Sequence, residues 1–162
     1  MRVTAVVCVC VMGLCAGSAS GQGGGPQVRQ AAPSDRAVDF TLADLEMTFK
    51  DMDAKTQPTL RLLEGGSYNV NIRRLSGSET ALVHRRTTDV WVVREGAGTL
   101  VTGGTLVDPK VGANGDASGS AIRGGVERVI KVGDVIFIPP GVAHGIKDSR
   151  SITYLNIRFD TK

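Results

Sequence analysis

The sequence predicts an all-β domain, a sandwich or a barrel, with one short helix before its main strands. From residue 58 onward, apolar and polar residues alternate with the period of two that is typical of half-buried strands. Corners that contain Gly separate most of these strand candidates, and no helical pattern lies between them. The chain has 162 residues, which is enough for one domain rather than two.

The first twenty residues are predicted to be a secretory signal peptide. Arg2 precedes an apolar run over residues 3–15, and the small residues 16–20 follow. The apolar run, about 13 residues long, is too short to cross a bilayer as a helix. We expect cleavage after Ser20, with Ala19 as the alternative site. A lipid-anchored form and an N-terminal helix retained in the folded protein are the other interpretations.

The composition excludes several classes of function. All three cysteines, Cys8, Cys10 and Cys15, lie within the predicted signal peptide, so the mature chain would have no disulfide, thiol nucleophile or thiolate metal site. The net charge of +3 is too small and too scattered to predict a nucleic acid or an anionic membrane as partner.

The predicted signal peptide indicates a secreted or periplasmic protein. We expect no stable membrane insertion after its cleavage.

The mature chain is predicted to begin with a flexible tether followed by a helix. Residues 21–37 are rich in Gly, Gln, Pro and Ala and show no periodicity, which indicates a tether. Thr41 and Asp44 then form the pattern of a capping box, and Phe40 is placed to form a hydrophobic staple with Leu45. Apolar residues recur at spacings of three and four, at Leu42, Leu45, Phe49 and Met52. We expect this face to pack on the barrel or on a second subunit.

Strands are predicted along the rest of the domain, which spans residues 38–162. The candidates are residues 68–72, 89–93, 99–102, 126–132, 134–138 and 152–159. Residues 109–120 are rich in Gly and have no apolar rhythm, so we expect a surface loop there.

The segment 133–144 carries the most specific pattern in the chain. It reads Gly-Asp-Val-Ile-Phe-Ile-Pro-Pro-Gly-Val-Ala-His. Pro140 pre-sets φ and Gly141 accepts a positive φ, as a type II turn requires, so the chain can reverse and direct His144 inward. The segment resembles the second cupin motif, G-x5-P-x-G-x2-H, at every fixed position.

Residues 84–96 resemble the first cupin motif, H-x-H-x2-4-E followed by an apolar strand and Gly. His84 lies at the first His position, Arg86 replaces the second His, and Asp89 replaces Glu. A rival alignment places His84 in the second His slot and Leu82 in the first. We prefer the former because its spacing is similar to that of the cupin half of type II phosphomannose isomerases. The resemblance to a single-domain cupin of the type-2 conserved-barrel kind implies a double-stranded β-helix, or jelly roll, and a homodimer.

Cupins with an intact site hold a divalent metal with three His and one Glu, so the resemblance implies a metal site in this chain too. The chain has two His in total, and both His84 and His144 fall at ligand positions. With Asp89 they could form the two-His, one-carboxylate set that is usual for non-haem Fe(II). Fe, Mn, Ni and Zn are the candidate ions. Arg86 cannot ligate a metal; it either orients an anionic substrate or turns outward. The alternative is a barrel that binds no metal.

Two function classes therefore stay open. One is a metal-dependent isomerase, lyase or dioxygenase acting on a small polar metabolite, and the other is a metal-free module that binds a small ligand. Trp91 shares the face of Asp89, where packing in the barrel is favoured over stacking on a ligand. Tyr154 is a further candidate for substrate contact, as is Asn156. No residue is assigned a catalytic role.

Overall fold

The structure is a computed structural model that describes residues 28–161. The predicted signal peptide, its three cysteines and the start of the predicted tether lie outside the described residues. One helix and twelve strands occur in the described range: β1 (Val28–Ala31), α1 (Leu42–Ala54), β2 (Thr59–Gly65), β3 (Tyr68–Leu75), β4 (Ala81–Val83), β5 (Thr87–Thr102), β6 (Thr105–Val107), β7 (Lys110–Val111), β8 (Ala117–Gly119), β9 (Ala121–Arg123), β10 (Val126–Lys131), β11 (Val135–Ile138) and β12 (His144–Asp160). The prediction of an all-β domain with one short N-terminal helix is confirmed. Within residues 28–161, no helix has the length and apolar character needed to cross a membrane.

Two long strands, β5 and β12, organise the sheets. They pair with each other along most of their length, and β12 also pairs with β3 and β4 while β5 pairs with β10 and β11. The main sheet runs in the order β1-β2-β3-β12-β4-β8-β7, and β6 and β9 form a separate ribbon. Each long strand thus contributes to both ends of the fold. The two segments that resemble cupin motifs, residues 84–96 and 133–144, meet where β4, β5 and β12 are neighbours.

Gly96 lies at the point where β5 changes partner from β11 to β10. Its φ is +67°, and a Cβ at this position would collide with the backbone carbonyl oxygen of Ser151 on β12. A residue with a side chain could not adopt this backbone so close to the neighbouring strand. The register of β12 also shifts between Ser149 and Ser151, so both strands bend together at this corner.

The core has two parts. The first fills the interior between the long strands and consists of Trp91, Val93, Leu100, Ile130, Ile136, Ile138, Ile146, Ile152 and Tyr154. The second lies where α1 packs on the sheet and consists of Leu45, Phe49, Met52, Leu60, Leu62 and Ile72. The apolar face of the predicted helix therefore packs on the barrel.

The capping box that begins α1 is present as predicted. The Thr41 hydroxyl accepts a hydrogen bond from the backbone N–H of Asp44 (3.2 Å), and the Asp44 carboxylate accepts one from the Thr41 N–H (3.0 Å). The prediction that Leu42 belongs to the buried apolar face of the helix is wrong, because this residue is 61% exposed. Phe40, before the helix, packs against the second core cluster, so the apolar contact is continued from outside the helix.

Two predictions of irregular structure need correction. Within the predicted tether, β1 pairs in parallel with β2, and Ala32 N–H donates to the Glu64 carbonyl oxygen (2.8 Å). All four β1 residues are exposed, so the segment has no alternating pattern to reveal it; the free backbone groups at the edge of β2 hold it in place. Within the predicted surface loop 109–120, β8 pairs with β4. That pairing brings Asp116 beside His84.

Candidate metal centre

The strands bring His84, Asp89 and His144 together as predicted. His84 follows the end of β4, Asp89 lies in β5, and His144 is the first residue of β12. One ligand atom from each lies within 4.8 Å of the others, which makes the group able to hold a metal ion. His144 Nε2 is 3.4 Å and His84 Nε2 is 3.9 Å from Asp89 Oδ2. All three residues are buried.

The turn in the second cupin-like segment fixes the relation of the two motifs. Gly141 has a φ of +79°, and its N–H donates a hydrogen bond to the carbonyl oxygen of His84 (2.8 Å). The backbone of the first motif is thus tied to the turn of the second. Three residues later His144 enters β12 opposite Leu82 of β4. The turn therefore positions both histidines, as well as reversing the chain.

The hydrogen bonds of the two imidazoles leave their Nε2 atoms free for an ion. His84 Nδ1 is 3.0 Å from Asp116 Oδ2, and His144 Nδ1 is 2.9 Å from the Val142 carbonyl oxygen. Because a carboxylate and a carbonyl can only accept, both Nδ1 atoms carry a proton, and in the neutral imidazole each Nε2 atom then presents a lone pair. The two Nε2 atoms are buried and have no hydrogen-bond partner among the described residues. Two lone pairs therefore converge on one carboxylate oxygen, an arrangement that fits a shared cation.

Asp89 is held as a carboxylate by the groups around it. The Trp91 indole N–H donates to its Oδ2 at 3.3 Å, and Asn156 Nδ2 lies 3.4 Å from the same oxygen. Arg158 Nε lies 3.1 Å from Oδ1. Burial raises the pKa of Asp89, but the contact with His144 and the charge of Arg158 outweigh it and lower the pKa from 3.8 to about 2. The group is therefore ionised at neutral pH.

His84 is favoured in its neutral form. Burial is the largest cause that lowers its pKa, and the nearby Arg158 charge adds to it; the contacts with Asp116 and Asp89 oppose both. A neutral imidazole is the form that ligates a metal. The electrostatics of the site thus match the protonation states that a metal needs.

Acid should destabilise the metal-free protein through Asp89. Its pKa is lower in the folded protein than the ordinary 3.8, so the unfolded chain takes up the proton first as the pH falls. The stability is present above about pH 4 and is lost toward pH 2, by roughly 2 kcal/mol for this group. Urea unfolding across this range should show a steeper loss in the wild type than in Asp89→Asn. Parallel curves would contradict the assignment, because the remaining acidic groups titrate in both proteins.

Arg86 lies outside the cluster. Its side chain is exposed, and its carbonyl oxygen accepts hydrogen bonds from the Thr161 N–H (2.7 Å) and hydroxyl (2.9 Å). It lines a surface cavity of about 380 Å³ together with Arg85, Asn114 and Pro140. The cation beside Asp89 is instead Arg158, which sequence reasoning missed. Its position two residues after Asn156, on the same strand face, is the signal that could have found it.

Trp91 and Tyr154 fill the interior next to the cluster. Their rings stack with centroids 4.4 Å apart, and the edge of Trp91 meets the His144 ring at 5.8 Å. The Tyr154 hydroxyl lies 3.2 Å from Glu79 Oε1, and burial raises the Tyr154 pKa well above its ordinary value. Both residues therefore have packing partners within the barrel, and a direct contact of either one with substrate stays a prediction.

Asp116 is the second residue that sequence reasoning missed. It accepts from His84 Nδ1 through Oδ2 and from the Arg85 N–H through Oδ1 (2.9 Å). Asp116→Asn should lower the affinity for a divalent metal about 10- to 100-fold, because partners that orient a ligating His typically contribute that much. Metal titration by calorimetry checks this. Asp108→Asn, at an exposed loop position, is the matched control and should bind like the wild type.

Comparison with known proteins supports the fold. No protein-family model matches the chain, and no curated protein matches it either. Among solved structures, BH2720 of Bacillus halodurans has a TM-score of 0.52 at 16% identity, over 80% of this chain and 85% of the other. A conserved protein with a double-stranded β-helix domain from Klebsiella pneumoniae has a TM-score of 0.47 at 18% identity, over 64% and 76%. A cupin protein from Bacteroides fragilis has a TM-score of 0.40 at 15% identity, over 58% and 66%. The predicted double-stranded β-helix fold is confirmed, and at these identities the likeness concerns the fold alone, so membership of the cupin superfamily stays a prediction.

Proposed function

We propose that this cupin-fold chain binds one divalent transition-metal ion through His84, Asp89 and His144 and acts with it as an enzyme on a small polar metabolite. The observation that supports this most strongly is the convergence on one carboxylate oxygen of two buried Nε2 atoms that have no hydrogen-bond partner among residues 28–161. In a site withdrawn from water, two lone pairs that face a negative charge are unfavourable, and a metal ion between them would remove that repulsion.

The donor set indicates the class of ion. Two imidazoles and one carboxylate suit Fe, Mn, Ni or Zn, whereas an oxygen-only set would suit Ca or Mg. Held by His84, Asp89 and His144, such an ion would supply Lewis acidity toward a substrate. Neighbouring residues orient the three ligands. Asp116 and the Val142 carbonyl orient the imidazoles of His84 and His144, and the Trp91 N–H and Asn156 hold the carboxylate of Asp89. We place the reaction in the isomerase, lyase or dioxygenase classes.

Export and assembly are further parts of the proposal. The charged, apolar and small-residue order of residues 1–20 supports a signal peptide and therefore a secreted or periplasmic location. A homodimer is the default because open sheet edges favour pairing between identical subunits.

A metal-free module that binds a small ligand is the second candidate. The observation that favours it is the ion pair between Arg158 Nε and Asp89 Oδ1 at 3.1 Å. That pair already compensates the buried carboxylate, so the fold does not depend on an ion for charge balance.

Trp91 provides a direct test between the two candidates. It is the only Trp in the chain, and it touches both Asp89 and His144. We expect Co²⁺ to quench its fluorescence saturably and a chelator to restore the emission. His144→Ala, which keeps the Trp, should abolish the saturable phase. An unresponsive wild type, or an equal response in the variant, would favour the metal-free module.

A further inference from the structure

We propose that Arg158 is the anion-binding residue of the metal centre and that the ligand bound there is a small hydroxy-carboxylate. The inference rests on the proposed metal site and specifies the class of substrate. It also moves the recognition of an anion from Arg86, where the sequence placed it, to a residue on the last strand.

The register of the sheet places Arg158 against the cluster. In the pairing of β5 with β12, Arg158 lies directly opposite Asp89. Its Nη2 is 3.4 Å from Asp89 Oδ2, and its Nε, although 3.1 Å from Oδ1, makes no well-aligned hydrogen bond with any described residue. The guanidinium therefore lies beside the metal ligands with a buried donor still to satisfy.

The charge of a loaded centre favours an anion. A divalent ion and Arg158 carry three positive charges, whereas Asp89 and Asp116 carry two negative charges, and the two imidazoles are neutral ligands. The excess of one positive charge lies in a site that is largely withdrawn from water, where an uncompensated charge is costly. A carboxylate would remove that excess, and a neutral ligand of the same size would not.

Arg158 is the most exposed side chain of the group. Its side chain is 24% exposed, compared with 10% for His84, 3% for His144 and 1% for Asp89. The Arg158 side chain is therefore the member of this group that is most accessible to a ligand arriving from solvent. The Nε edge of the guanidinium faces Asp89, and the second edge, formed by Nη1 and Nη2, offers two N–H donors that can hold both oxygens of a ligand carboxylate.

Asn156 is the reason to expect a hydroxyl group on the ligand. Its Oδ1 is buried and accepts no hydrogen bond from the described residues, while its Nδ2 lies 3.4 Å from Asp89 Oδ2. A hydroxyl on the ligand would donate to this acceptor. Carboxylate recognition by Arg158 and hydroxyl recognition by Asn156 together describe a small hydroxy acid.

Calorimetric titration of the Co²⁺-loaded protein with glycolate and with glycolamide tests the inference. The two probes share a skeleton and a hydroxyl and differ in charge. We expect glycolate to bind at least about 10-fold more tightly, and Arg158→Gln to weaken glycolate about 10- to 100-fold, as the loss of a charge-assisted hydrogen bond does. Co²⁺ affinity of that variant should stay equal or increase, because a cation beside the ion has been removed. Arg86→Gln, which alters an exposed arginine, is the matched control and should bind glycolate like the wild type.

Equal affinities for the two probes, or unchanged glycolate affinity in Arg158→Gln, would overturn the inference while leaving the metal site intact. If Arg158→Gln does not fold, Arg158→Lys serves instead: it keeps the charge but loses the fork, so its glycolate affinity should be measurably weaker than in the wild type. Wild-type affinity in Arg158→Lys would count against bidentate recognition. Failure of the wild type to take up Co²⁺ would overturn the proposed function itself.

Discussion

Replacing His144 with Ala is expected to weaken the binding of a divalent metal by more than about 100-fold. Residues that only orient a ligand contribute about 10- to 100-fold, so the loss of one of three ligands should exceed that range. The His144 side chain is 3% exposed. Its Nε2 lies 3.4 Å from Asp89 Oδ2 and has no hydrogen-bond partner among residues 28–161. His84→Ala should behave similarly, because its Nε2 faces the same oxygen.

Calorimetric titration with Zn²⁺ or Co²⁺ measures the effect, and circular dichroism checks that both variants remain folded. Thr88→Ser is a suitable control, since Thr88 is a buried neighbour of Asp89 in the chain and is absent from the ligand cluster. Metal affinity within a few-fold of the wild type in both His variants would show that the histidines are structural.

Trp91→Ala is expected to cost about 3–5 kcal/mol in the free energy of unfolding, the range found for large aromatic residues removed from a core. Trp91 is 2% exposed, stacks on Tyr154 and donates to Asp89, so its removal leaves a cavity and takes one hydrogen bond from the buried carboxylate. Trp91→Phe keeps part of the stacking and should cost less. Urea unfolding provides the measurement.

Urea unfolding also shows whether the Trp91 indole packs in the core or serves as a contact for a ligand. Phe137→Ala is the matched control, because this aromatic residue is 64% exposed and its replacement should change stability by less than about 0.5 kcal/mol. If Trp91→Ala were as mild as the control, the indole would not be a core residue, and stacking on a ligand would become the better account of its presence.

The fold and the ligand set could be predicted because they depend on local patterns. Alternation of period two, Gly-containing corners and the turn around Gly141 are visible within a few residues, and the two histidines sit in recognisable motifs. The helix was predictable for the same reason, since the capping box and the stripe through Leu45, Phe49 and Met52 are local.

The surroundings of the site depend on pairing between distant segments, which a single sequence does not reveal. Asp116 reaches His84 only because β8 pairs with β4, across 32 positions of the chain. Arg158 faces Asp89 only through the register of β12 against β5. The strand β1 is held by backbone bonds to β2 and has no side-chain pattern of its own. Each of these features follows from tertiary register rather than from local composition.

Elemental analysis of the untagged protein, purified without chelator and then reconstituted with each candidate ion, decides whether the chain holds a metal. We expect close to one iron, manganese, nickel or zinc ion per chain, and no bound ion in His144→Ala or His84→Ala under the same conditions. Absence of metal from the wild type after reconstitution with every ion would contradict the proposed metal site. A metal content in the two variants equal to that of the wild type would contradict it as well. In that case the ion pair between Arg158 and Asp89, rather than a metal ion, would be the resting state of the site.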